Sequence, residues 1–375
     1  MTDLKISDLA SKIIAGYRLS RNDDLSFFKD CNLDELTTGA DKIREHFRGK
    51  KVDLCTIINA RSGRCGENCK FCAQSAHNHT GCEEYSFLED EKIIQAAKAN
   101  QDEGVNRFAI VTAGKALSGE DFDKAIRVYE KMSKELSINL CASMGFLTRE
   151  QFKRLRKAGV TSYHHNIETS RRNFPNICTS HTYDMKIETI KIAQKEGLCV
   201  CSGGSIGMGE TFEDRLDMAL SLSELKVRSI PINALMAIPG TPFEKNTPLT
   251  EEEILRTIAM FRFINPDANI RLAAGRKLLS ENGKKAFESG CSATITGNML
   301  TTSGSTIKGD IKMLSEMGRS VKAIKGSTCD SCDCGCDSND CDCDCDCETD
   351  CCDSTSCDSS DCACDSTCCD SCQSA

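Results

Sequence analysis

Cys65, Cys69 and Cys72 stand in the segment ARSGRCGENCKFCAQSAHNHTG, at a C-x3-C-x2-C spacing with Phe71 just before the last thiol. A 4Fe-4S cluster ordinarily takes four Cys ligands, so a three-Cys loop leaves one iron open to an external chelating ligand. A structural zinc loop is the competing chemistry. Zinc favours a closed set of four ligands, and the nearby candidates, His77 and His79, read as solvated loop residues. In a reducing compartment, spaced thiols of this kind point to metal or redox chemistry more than to a disulfide framework.

Such a loop needs a scaffold. Positions 1–50 read as a helical extension, with Ile6, Leu9 and Ile13 at helical spacing, followed by DELTTGADKIREHF. Beyond it, short β-branched runs at 54–59, 108–112, 138–142, 162–167, 198–202, 229–233, 269–273 and 293–296 predict eight strands. Amphipathic stretches at 89–103, 121–136, 149–157, 183–196, 212–225, 251–263 and 276–288 predict the helices between them, several closed by Gly. The alternation over 51–326 predicts an α/β fold, a (β/α)8 TIM-type barrel with N-terminal helices; six full units with additions is the alternative count. In such a barrel the working residues belong at the C-terminal ends of strands.

The loop, with Phe71 inside it and a strand before it, resembles that of the radical S-adenosylmethionine enzymes, and the chain resembles the biotin synthase family within them. The segments carrying the resemblance are CKFCAQSAHNHTG, YHHNIETS, VCSGGSIGMGET, PINALMAIPGTP, IRLAAGRK and GNMLTTSGS. The resemblance implies that Cys65, Cys69 and Cys72 hold a 4Fe-4S cluster whose open iron binds S-adenosylmethionine. It further implies sulfur insertion into dethiobiotin by deoxyadenosyl radicals, with an auxiliary iron-sulfur cluster as sulfur donor. Phe71, Thr112, Ala113 and Gly114 would meet the cofactor, as would Asn166 and Glu168 at its ribose. Asn166 would also lie near the substrate, and Asn233 would face its ureido ring. An electron donor such as flavodoxin or ferredoxin, and a homodimer, follow from the same likeness.

The family's auxiliary 2Fe-2S site takes three Cys and one Arg. Cys141, Cys201 and Arg271 match three of these positions, but the fourth is Ala109, which leaves the site one ligand short or of a variant type. Cys55 and Cys199, the latter two residues before Cys201 and on the same face, read as ordinary buried thiols. Ala109 keeps open a related radical enzyme that inserts no sulfur. Ser205 and Glu168 also depart from the usual residues of their motifs.

The 49 residues of 327–375 contain 16 of the 27 Cys and 14 acids, with no Lys, Arg, Leu, Ile, Val or Phe. They predict a disordered low-complexity tail that cannot build a core. Its C-x-C and C-C pairs suit soft metals, and its thiols are expected to complete the short auxiliary site. Metal storage through the tail alone is the non-enzymatic alternative. The remaining 326 residues carry 47 basic and 42 acidic side chains, with no basic cluster that would suit nucleic acid. No apolar run reaches membrane length and MTDLKISDLASK lacks a signal-peptide core, so no membrane association and a cytoplasmic location are expected.

Overall fold

The computed structural model describes residues 5–298, 300 and 304–321. The segment 327–375 lies outside the described residues, as do Met299, Thr301, Thr302 and Ser303 of the GNMLTTSGS motif. Two helices, α1 (Ile6–Ile14) and α2 (Leu33–Arg48), precede β1 (Lys51–Arg61). Strand and helix then alternate through α3 (Asp90–Asp102), β2 (Arg107–Thr112), α4 (Gly119–Glu135), β3 (Asn139–Ser143), α5 (Arg149–Lys157) and β4 (Val160–His164). There follow α6 (Phe174–Ile177), α7 (Tyr183–Lys195), β5 (Cys199–Cys201), β6 (Gly204–Ile206), α8 (Phe212–Glu224) and β7 (Ser229–Ala234). The last elements are α9 (Glu251–Ile264), β8 (Asn269–Leu272), α10 (Lys284–Phe287), β9 (Ala293–Ile295), α11 (Ile307–Glu316) and β10 (Ser320–Val321).

All strand pairs are parallel, and β9 returns to β1 through Asp53↔Ala293, Leu54↔Thr294 and Cys55↔Ile295, which closes the barrel. β5 and β6 occupy one barrel position, since Cys201 pairs Ser229 and Gly204 pairs Ile232, both on β7. The result is the expected barrel of eight positions. Side chains alternate along each strand. On β2, Phe108 and Ile110 pack outward under the helices, while Arg107, Ala109 and Val111 face the interior cavity. Helices α5, α8 and α9 each start at a Thr that closes a capping box, Thr148 with Gln151, Thr211 with Asp214 and Thr250 with Glu253.

Two local expectations change. The stretch 276–288 is not one helix: Glu281, Asn282 and Gly283 all have positive φ, which splits it into two 3-10 turns and α10. Arg276 explains the break, because its guanidinium is drawn into a buried pair with Asp310 (2.6 Å) and donates to the Asn282 carbonyl (2.8 Å). β4 ends at His164 rather than at Ile167. Glu168 takes φ 71°, a left-handed conformation uncommon outside Gly, and its N–H donates to the Gly203 carbonyl (3.1 Å) at the gap between β5 and β6. A Cβ on Gly203 would lie 1.9 Å from the Pro231 carbonyl oxygen, so the gap requires glycine there.

Asp214 locks α8 to the segment after β4. Its buried carboxylate accepts from Ser170 Oγ (2.6 Å), Arg172 Nε (3.0 Å) and Thr211 N (2.8 Å). Burial opposes ionisation, but the donors outweigh it and hold the group below its usual range. A depressed folded-state pKa contributes stability above the unfolded value of about 3.9, lost as pH falls through the folded one. Asp214→Asn is therefore expected to lower stability by about 1–3 kcal/mol at neutral pH. Urea midpoints should show the wild-type advantage shrinking below about pH 4.

Candidate functional site

The loop between β1 and α3 folds back on itself. Cys65 N donates to the Gln74 carbonyl (3.0 Å), Ala76 N to the Cys65 carbonyl (2.8 Å), and Asn78 Nδ2 to the carbonyls of Cys69 (3.1 Å) and Cys72 (2.8 Å). Asn68 pins the other side, accepting from the N–H groups of Thr179 (2.9 Å) and Ser180 (3.0 Å) just beyond α6. Phe71 and Cys72 line a cavity of about 760 Å³ that runs down the barrel to Arg107, Arg228 and Asn269 near the strand starts. Burial pushes the Cys72 thiol up to about 11, so a bound cation is needed to hold it as thiolate. Three thiols on one loop, one of them at the cavity wall, fit a cubane with an open corner.

Midway down the cavity stand Asn166, Glu168 and Asn233. Asn166 Oδ1 accepts from Gly203 N (3.0 Å), and its Nδ2 points to Glu168 Oε2 (3.4 Å). Lys186 Nζ lies 3.9 Å from Glu168 Oε1 and fixes the carboxylate from behind. Asn233 is held at both ends of its amide, donating to the Gly204 carbonyl (3.1 Å) and accepting from Ala274 N (3.2 Å). That leaves one N–H and one lone pair for a ligand. Thr112, Ala113 and Gly114 end β2 outside the cavity lining. The Ala113 carbonyl accepts from Arg61 Nε (2.9 Å) and Nη2 (2.6 Å), which brings the arginine against Gly114.

At the bottom, Cys55, Cys141, Cys199, Cys201 and Arg271 all line the same cavity. Cys55, Ala109 and Cys141 form one small buried cluster with Ile57. Burial pushes the Cys55 thiol up to about 11. Burial also opposes ionisation of Cys201, but His164, Arg271 and Ser229, whose Oγ lies 3.2 Å from the sulfur, bring it down to about 7. Arg271 is committed elsewhere: Nη2 pairs with Asp53 (2.5 Å), and Nη1 donates to the carbonyls of Thr294 (3.0 Å) and Asp53 (3.3 Å). Arg107 approaches the same carboxylate (3.4 Å). Thiols beside two guanidiniums suit a cluster of iron and sulfide.

Sequence reasoning passed over three things that the structure brings to the site. Cys55 in an apolar strand reads as any small hydrophobe, yet it lines the cavity with Ile57, two residues on and on the same face. Asp53, two further back, holds Arg271. His164 carried no signal beyond its place in YHHNIETS, yet it lines the cavity and bonds Cys201.

A parallel eight-position barrel with this three-Cys loop after its first strand defines a radical S-adenosylmethionine enzyme, and the Radical SAM superfamily model matches residues 60–222. The Biotin and Thiamin Synthesis associated domain matches residues 231–320. Biotin synthase of Alkaliphilus metalliredigens (strain QYMF) is 59% identical over 84% of this chain and 99% of its own length. That of Clostridium beijerinckii (strain ATCC 51743 / NCIMB 8052) is 58% identical over 84% and 99%. The chain belongs to the biotin synthase family. These relatives are covered almost end to end, so the remainder of this chain has no counterpart in them. Among solved structures, methylornithine synthase superposes with a TM-score of 0.73 at 20% identity, covering 84% of this chain and 97% of its own. A HydG maturase of the [FeFe]-hydrogenase gives 0.72 at 17%, covering 85% and 75%. At those identities the likeness concerns the fold alone.

Arg271→Met removes the main partner of Asp53, which is 5% exposed. A loss of about 1–3 kcal/mol is expected, because the carboxylate loses its shortest ion pair but keeps Arg107 and Asn106. Chemical denaturation of the cluster-free protein measures it, with Arg271→Lys expected to recover part of the loss.

Proposed function

We infer that this chain converts dethiobiotin to biotin, with S-adenosylmethionine as radical source and sulfur drawn from an auxiliary cluster inside the barrel. The observation that carries this is one continuous cavity with Phe71 and Cys72 at one end, Cys55, Cys141 and Cys201 at the other, and Asn233 between them. When bound, the loop cluster supplies an electron to S-adenosylmethionine and the deep cluster supplies the inserted sulfur. The residues do the rest. Cys65, Cys69 and Cys72 hold the first cluster as thiolates, with Phe71 beside it. Thr112 and Gly114 present backbone to the methionine end of the cofactor beside the cavity, the Ala113 backbone being taken up by Arg61, and Glu168, steadied by Lys186, accepts with Asn166 from its ribose hydroxyls. Asn233 offers its free N–H and lone pair to the ureido ring, and Asn166 flanks the same substrate.

For the auxiliary cluster we assign Cys141 and Cys201, with Cys55 as the third thiolate in place of the residue missing at Ala109. The tail is not needed for this set. Arg271, expected as a ligand, has both terminal nitrogens engaged. Its part is then the positive charge that favours thiolates beside it. The division into a helical extension (1–50), a catalytic barrel (51–326) and a metal-holding tail (327–375) accompanies this reading. So do a homodimer, an acidic electron carrier such as flavodoxin or ferredoxin facing the net-positive body, and a cytoplasmic site of action. No helix among the described residues is long and apolar enough to cross a membrane.

Alanine at Cys65, Cys69 or Cys72 is expected to abolish 5′-deoxyadenosine formation; near-normal cleavage in Cys69→Ala would overturn the radical assignment. Alanine at Cys55, Cys141 or Cys201 should spare deoxyadenosine formation yet remove first-turnover biotin and the auxiliary-cluster spectrum. Truncation after Gly326 should leave both intact. A truncated protein without the auxiliary spectrum, alongside an unaffected Cys55→Ala, would hand the missing ligand to the tail.

A further inference from the structure

Behind the cysteine loop, on the side away from the cavity, a second set of donors converges. Cys178 follows α6, His181 lies three residues on, and Glu67 belongs to the loop itself; all three are buried. Cys178 Sγ is 3.7 Å from Cys69 Sγ, 3.4 Å from His181 Nδ1 and 3.7 Å from His181 Nε2. One donor atom from each of Cys69, Cys178 and His181 lies within 4.8 Å of the others. None of the roles assigned above uses Cys178 or His181.

We propose that Cys69, Cys178 and His181 form a site for a single divalent metal ion of the zinc or ferrous class, filled when the loop cluster is not assembled. Tetrahedral zinc with M–S of about 2.3 Å and M–N of about 2.0–2.1 Å sets S···S near about 3.8 Å and S···N near about 3.5 Å. The Cys69–Cys178 spacing meets this as it stands. Cys178 Sγ lies beside both ring nitrogens, so the side chains of Cys178 and His181 must turn to bring the sulfur into line with the Nε2 lone pair. His181 Nδ1 is bonded to Glu67 Oε2, which also accepts from Ser180 Oγ (2.8 Å). With Nδ1 carrying the proton, Nε2 presents its lone pair to the metal, the carboxylate–histidine–metal arrangement that orients such ligands. Phe146 and Phe174 meet the ring edge-on at centroid distances of 5.0 and 5.6 Å and hold its plane. Binding forms two metal–thiolate bonds and one metal–imidazole bond, and the two thiols release two protons.

Cys69 cannot serve both this ion and the cubane. The site therefore competes with cluster assembly, and in this respect alone it rests on the radical-cluster assignment. Its other two ligands take no part in that assignment, so the two ideas fail separately. The test uses the full chain made cluster-free under anaerobic conditions. Zinc is added in excess over all 27 cysteines, so that the Cys-rich segment cannot absorb it. Alkylation of Cys69 is followed by peptide mass mapping with and without zinc. At least tenfold protection of Cys69 is expected in the wild type, lost in both Cys178→Ala and His181→Asn, with far-UV circular dichroism confirming that each variant is folded. Absence of protection in the wild type overturns the proposal. So does protection that persists in either folded variant, which would put the zinc on the loop cysteines alone. Loss of deoxyadenosine formation in Cys69→Ala, by contrast, bears only on the radical cluster.

Discussion

A single buried carboxylate organises the bottom of the barrel. Asp53 sits on β1, pairs with Arg271 on β8, approaches Arg107 on β2 and accepts from Asn106 Nδ2 (3.1 Å). The guanidiniums overcome the desolvation of the carboxyl and keep it ionised. An unpaired ion at this depth would cost several kcal/mol, so the three charges are interdependent. Taken together they leave one net positive charge among the thiols of Cys55, Cys141 and Cys201. That charge opposes the desolvation that still keeps Cys55 and Cys141 protonated, and together with His164 it brings Cys201 down. The same network ties three strands of the wall into a fixed floor, against which the upper residues are placed.

The upper cavity depends on that floor through the strands. Asn233 closes β7 with both ends of its amide tied to backbone, and Asn166 is tied to the turn at Gly203. Neither has freedom to search for a ligand. Their remaining donors and acceptors are held in place before anything binds, which reduces the ordering cost of recognition. Glu168 reaches its position only because the backbone there turns left-handed over a glycine gap.

Much of this was legible in the sequence where the signal is local. The cysteine spacing lies within eight residues, and the alternation of β-branched runs with amphipathic stretches marks the strands and helices, while closure of the barrel rests on the β9–β1 pairing. Legibility fails where function depends on what lies across the barrel. Cys55 reads as a core residue until Cys141 and Ala109 are seen beside it. Cys178 and His181 are separated from Glu67 and Cys69 by more than a hundred residues, and only closure of the fold makes them neighbours. The break in 276–288 has the same origin, since helical periodicity there is overridden by the pull of Asp310 on Arg276.

The contact between Cys55 and Ala109 has a further meaning for how such sites change over time. Their strands are adjacent, with Ile57 paired to Ala109 and Cys55 to Arg107. A thiol on β2 and a thiol on β1 would therefore reach the same pocket. A protein carrying both would keep a full ligand set while either one was lost. With Cys55 as the proposed ligand, two single substitutions, in the order of gain and then loss, would move that ligand from one strand to the next while the barrel stays where it is.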